Sequence, residues 1–125
     1  MPRVVISEDA RSSDLAPLAL AINEVIKLPV TLRSANAMGV RVEKGKVLDE
    51  NYSGPTLEDV LRTGKPIRNI PESGAYKGVP VSVAPIIAEG KTIAAVGVVD
   101  IIGTVDIPEV FGAYAEVVKQ VSEKR

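Results

Sequence analysis

The sequence predicts an α+β fold: an antiparallel sheet of about five strands with helices against it, in the order helix, two strands, helix, three strands, helix. Three observations lead there. Residues 13–28, "SDLAPLALAINEVIKL", repeat apolar residues at helical spacing. "PVTLRS" and "MGVRVEKGKVLDEN" alternate at a period of two. Residues 79–101, "VPVSVAPIIAEGKTIAAVGVVDI", form a mostly apolar ribbon whose charge gathers at a turn.

In the first helix Leu15, Leu18, Ile22 and Val25 with Ile26 share a face; Ser13 or Asp14 can cap it, and Pro17 is tolerable in a first turn. Pro29 ends that pattern, and "EKGK" turns the chain between Val40–Val42 and Val47–Leu48 as a hairpin. "GPTLEDVLRTG" has a cap-like Thr56 three residues before Asp59, an apolar face at Leu57, Val60 and Leu61, and Gly64 as its stop, which gives a two-turn helix. A short strand is expected at Ile67–Ile70, then a loop marked by Pro71, Gly74 and Gly78. After the ribbon a final helix is expected from Asp106, boxed by Glu109, with Val110, Tyr114, Val117 and Val121 on one side. The 125 residues make one domain, with 1–12 as an arm.

If Glu89–Gly90 form a two-residue turn, paired positions in the ribbon sum to 179. One face then stacks Val81 on Val98, Val83 on Val96 and Ile87 beside Thr92. The other stacks Ser82 on Gly97 and Ala84 on Ala95, a shallow trough edged by Ile86–Ile93 and Pro80–Val99, with room for a helix or a small ligand. Pro80 and Pro85 each remove a ladder donor, so a bulge or an unpaired stretch is expected near one of them.

Composition narrows the chemistry. The chain has no cysteine and no histidine, which removes thiol chemistry, disulfides and the commonest general base and metal ligand. Fifteen Lys and Arg against sixteen Asp and Glu are interspersed, and the aromatic residues are Tyr52, Tyr76, Tyr114 and Phe111, so a nucleic-acid partner is not expected. The start lacks the apolar core of a signal peptide, and the run Ile93–Ile102 is too short to span a bilayer and contains Asp100. A cytoplasmic location and no membrane association follow as expectations.

"EGKT" at 89–92 has the ending of a phosphate-binding loop, but Pro85 stands where that pattern needs glycine, so it reads as a turn. Asp49–Glu50 and Asp106 are not set in an oxygen-rich loop with metal spacing, so no metal or other cofactor is expected. Asp100, ending an apolar strand, needs a cation or several donors: it is either an ion pair or cap, or an anchor for a ligand. The loop "IRNIPESGAYKG" is the best ligand-contacting segment, with Arg68, Asn69, Tyr76 and Lys77. Arg33, Arg41 and Tyr52 are expected to face it from the first hairpin, a set suited to a polar or anionic metabolite, with Ser82 of the ribbon a further ligand-binding candidate.

"RTGKPIRN" followed by "VPVSVAPIIAEGKTIAAVGVVD" resembles the second half of PAS- and GAF-type sensory domains. That resemblance implies a profilin-like sheet and recognition of a ligand or a protein. "PVTLRSANAMGVRVEKGKVLDENYSGPTLEDVL", with "GAYKGVPVSVAPI" and "AAVGVVDIIGTVDIPEVFGAYAEVV" after it, is similar to an uncharacterised domain family of methane-producing archaea, which implies no catalytic residue. A non-enzymatic regulatory domain is the reading these features favour. Homodimerisation is expected through a second apolar strip, Phe111, Ala115 and Val118. The alternative is a roadblock-like dimeric scaffold, which binds protein partners without a pocket.

Overall fold

The computed structural model describes residues 2–100. Helix α1 (Ser12–Ile26) leads into β1 (Val30–Ser34), β2 (Gly39–Glu43) and β3 (Lys46–Tyr52); α2 (Pro55–Thr63) follows, then β4 (Ile67–Asn69), β5 (Val81–Ala88) and β6 (Lys91–Val99). The strands form one six-stranded sheet, ordered β3-β2-β1-β6-β5-β4, and every pairing is antiparallel. The α+β class therefore stands, but three strands precede α2 rather than two. "PVTLRS" is a strand in its own right beside both arms of the "EKGK" hairpin. The helix expected from Asp106, and with it the strip Phe111, Ala115 and Val118, lies outside the described residues.

Alternation along the central strands gives the sheet two distinct faces. Val30, Leu32, Val40 and Val42 are fully buried on one of them, against Leu15 and Ala19 of α1. Val81, Val83, Ala95 and Val99 are buried on the other, with Tyr52 and with Leu57 and Val60 of α2. The buried Asn23 of α1 has two partners, donating to Leu28 O at 2.7 Å and accepting from Gly45 N at 2.8 Å, which ties the helix to the β2–β3 turn. The segment read as an arm is attached from Ile6 onward: Ile6 packs on the α1 core, Ala10 is buried, and Ser34 Oγ donates to Ala10 O.

Helix ends differ from expectation in detail. Arg11 is the N-cap of α1, and its N–H donates to Asp14 Oδ2 at 2.9 Å, so Asp14 acts from inside the first turn. Pro17 lies in the helix body, and Val25 is 81% exposed rather than on the buried face. Gly54 caps α2 and Pro55 opens it, the position where a missing N–H costs nothing. Thr56 is thereby freed to donate to Asn69 Oδ1 at 2.9 Å.

The ribbon carries the main correction. Both hairpin turns form as read, with positive φ at Lys44 and Gly45 and again at Glu89 and Gly90. Ala88 pairs with Lys91 and Ile87 with Thr92, but Ile86 pairs with Ala94, so Ile93 is an extra residue in β6 close to Pro85. A bulge shifts every later pair by one residue and so exchanges the faces. Ser82 then lies opposite Val98, Ala84 opposite Val96, and Gly97 opposite Val83. The trough of Ser82, Gly97, Ala84 and Ala95 does not form. Gly97 is instead filled by its neighbours, since a Cβ there would sit 2.8 Å from Thr31 Oγ1 and 2.9 Å from Val83 Cγ2. No helix among the described residues is long and apolar enough to cross a membrane.

Candidate functional site

On β2 the apolar Val40 and Val42 point toward α1, so Arg41 and Glu43 between and after them point to the α2 face. There they meet the loop connecting β4 to β5. The Tyr76 hydroxyl donates to Glu43 Oε2 at 2.9 Å, and Arg41 Nη1 donates to the same oxygen at 2.7 Å. The Arg41 guanidinium lies 5.9 Å from the centre of the Tyr76 ring, a cation–π distance. Tyr52, at the end of β3, meets Tyr76 edge-on with centroids 6.4 Å apart. Two tyrosines, an arginine and a carboxylate thus fasten the loop to the sheet.

Burial, and then the Glu43 carboxylate, push the Tyr76 hydroxyl far above its ordinary range. Burial also raises Tyr52. Tyr76 therefore remains a neutral donor to Glu43 at physiological pH. Arg41 Nε is buried and, among the described residues, donates to no group. A buried donor of this kind costs about 1–3 kcal/mol, so its persistence calls for an explanation.

Beneath the loop, between the sheet and α2, is a cavity of about 30 Å³ whose walls include Thr31, Tyr52, Leu57, Tyr76, Val83 and Gly97. It has room for about one or two water molecules. Pro71 anchors the loop by its buried ring, whereas Gly74 and Gly78 take positive φ in the exposed part. Arg33 closes the neighbouring edge, donating from Nη1 to Ser53 Oγ at 2.6 Å and from Nε to Ala37 O at 3.2 Å, with Glu58 at 3.5 Å. Among the described residues no three carboxylates gather in a way that could hold a metal ion.

The residues expected to form one site separate into two groups. Arg33, Tyr52, Asn69 and Tyr76 belong to the α2 face and its surroundings. Arg68, Ser82 and Asp100 lie on the opposite face, because Arg68 and Asn69 are consecutive in β4 and must alternate. Arg68 Nε donates to Ser82 Oγ at 2.7 Å and pairs with Asp100 Oδ2 at 3.0 Å, so of the two roles open to Asp100 the structure displays the ion pair. Lys77 is exposed on the loop. Glu43, which orients both Arg41 and Tyr76, is not among the expected residues; its alternation with Val42 gives its face but not its partners.

A family model described as an uncharacterized protein conserved in archaea matches residues 22–102. The chain is also similar to an uncharacterized protein of Methanocaldococcus jannaschii, 44% identical over 99 residues, which span 78% of this chain and 76% of that protein. No solved structure matches it significantly. With most of its described length, from the end of α1 through β6, covered by that match, the chain belongs to the archaeal family DUF2111.

Proposed function

We propose that the protein is a non-enzymatic regulatory domain that takes a small polar or anionic metabolite between the sheet, α2 and the β4–β5 loop, and signals through a protein partner. One observation carries the reading: Arg41 holds a buried Nε donor that no described residue accepts, beside two tyrosines and under a loop fastened by a few side-chain contacts. A ligand acceptor reaching that nitrogen would remove the cost of leaving it unpaired. The cavity, about 30 Å³, is far below the roughly 300 Å³ that small-molecule sites begin at, so room for a metabolite requires the loop to move. Tyr76 is the fastening that would have to release.

The small size of the cavity favours a second reading, a roadblock-like scaffold that binds proteins and needs no pocket. Native mass spectrometry of the protein isolated from an archaeal host separates the two. The sensory reading expects a small molecule to co-purify and to be lost in Arg41→Ala. A ligand-free chain that arrives with another protein supports the scaffold instead.

A further inference from the structure

Helix α2 begins without the side-chain cap that its first turn calls for. Gly54 stands at the N-cap and Pro55 has no N–H, so the amides of Thr56 and Leu57 find no acceptor within the helix. Both residues are buried, and both wall the cavity beneath the β4–β5 loop. The space that a cap side chain would fill is taken by Tyr52: a Cβ on Gly54 would lie 2.8 Å from the Tyr52 hydroxyl oxygen. Tyr52 is 7% exposed and lines the same cavity, and its hydroxyl makes no hydrogen bond among the described residues. Burial keeps that hydroxyl protonated, so it arrives as a donor.

Three buried donors meet there at the positive end of a helix, with no acceptor between them. We propose that the ligand carries a carboxylate seated on the Tyr52 hydroxyl and the Thr56 and Leu57 amides, and that an apolar segment follows it. The proposal rests on the regulatory reading and names its ligand class, an aliphatic carboxylic acid whose other end faces Arg41. Charge selects the carboxylate over a phosphate. Arg41 is committed to Glu43, and Arg33 to Ser53 and Glu58, so the helix end, about half a charge, is left to balance one negative charge rather than two. The apolar segment follows from the remaining wall, which includes Leu57, Val81, Val83 and Val99.

The full-length chain is titrated with isobutyrate, isobutyramide and inorganic phosphate at constant ionic strength, and the Thr56 and Leu57 amide resonances are followed by NMR. Isobutyrate should shift both amides saturably, and the other two probes should bind at least about tenfold more weakly. Tyr52→Phe should weaken isobutyrate by at least about tenfold. Gly54→Ala, whose methyl group would stand in the seat, should abolish the response, and either variant decides if the other does not fold. The proposal is overturned by amides that do not respond, by equal affinity for the three probes, or by a folded variant that binds isobutyrate as the parent does. A molecule that co-purifies and is lost in Arg41→Ala, while isobutyrate moves neither amide, refutes the carboxylate seat and keeps the regulatory reading. Saturable shifts in a chain that purifies empty keep the seat and count against that reading.

Discussion

Val40 and Val42 on β2 are fully buried against α1, whereas Arg41 and Glu43, each one residue further on, hold Tyr76 on the opposite face. The same alternation on β1 sends Val30 and Leu32 to α1 but Thr31 and Arg33 to the α2 side. One face of this half-sheet is thus an apolar core whose buried polar groups, Asn23 and Ser34, are hydrogen-bonded. The other carries charge, aromatic rings and a donor without a partner among the described residues. The difference teaches that stability and recognition are divided between faces of the same strands, so that changes on one need not disturb the other.

Substitutions sharpen this contrast in decreasing order of effect. Leu32→Ala, at a fully buried position on the α1 face, should cost about 2–5 kcal/mol in chemical denaturation and leave any ligand affinity per folded molecule unchanged. Gly97→Ala forces a methyl group against Thr31 and Val83 and should cost about 1–3 kcal/mol by the same measurement. Tyr76→Phe removes one hydroxyl donor and should cost only about 1 kcal/mol globally, while limited proteolysis within residues 72–78 becomes several times faster. Arg68→Ala breaks an ion pair whose arginine is 76% exposed and should cost less than about 1 kcal/mol. A loss from Tyr76→Phe as large as that from Leu32→Ala would break the distinction between the faces.

Alkaline titration probes the α2 face by itself. Tyr52 and Tyr76 are held neutral in the fold, both raised above the ordinary tyrosine value of 10.0. The unfolded chain therefore loses its tyrosine protons first, so this contribution is intact below about pH 10 and is lost as the pH climbs beyond it. Thermal melts of Tyr76→Phe should show a shallower decline above pH 10 than the parent does.

Much of the fold could be read in advance because its signals are local. Gly45 and Gly90, set between alternating apolar runs, mark turns because glycine takes positive φ without steric cost, and the valine alternation of β2 needs no tertiary knowledge. The register of β5 on β6 was not legible to the same degree. A run of Val, Ile and Ala pairs almost equally well one residue out of step, and only the extra residue at Ile93 decides which face receives Gly97. The proximity of Tyr52 and Tyr76 followed from their hairpin and loop positions, but the Glu43 contact to Tyr76 joins segments far apart in sequence and has no local signature. Arg68 and Asn69 could have been assigned to opposite faces from β4 alone, since neighbours on a strand alternate.

Amide hydrogen exchange tests most directly the claim that the loop over the α2 face opens independently of the α1 core. The amides of Ser73 to Val79 should exchange through local opening, with protection far below that of Thr31 and Leu32. Tyr76→Phe should lower the loop's protection about fivefold and leave that of β1 unchanged. Equal protection in the two segments, falling together in Tyr76→Phe, would contradict the account.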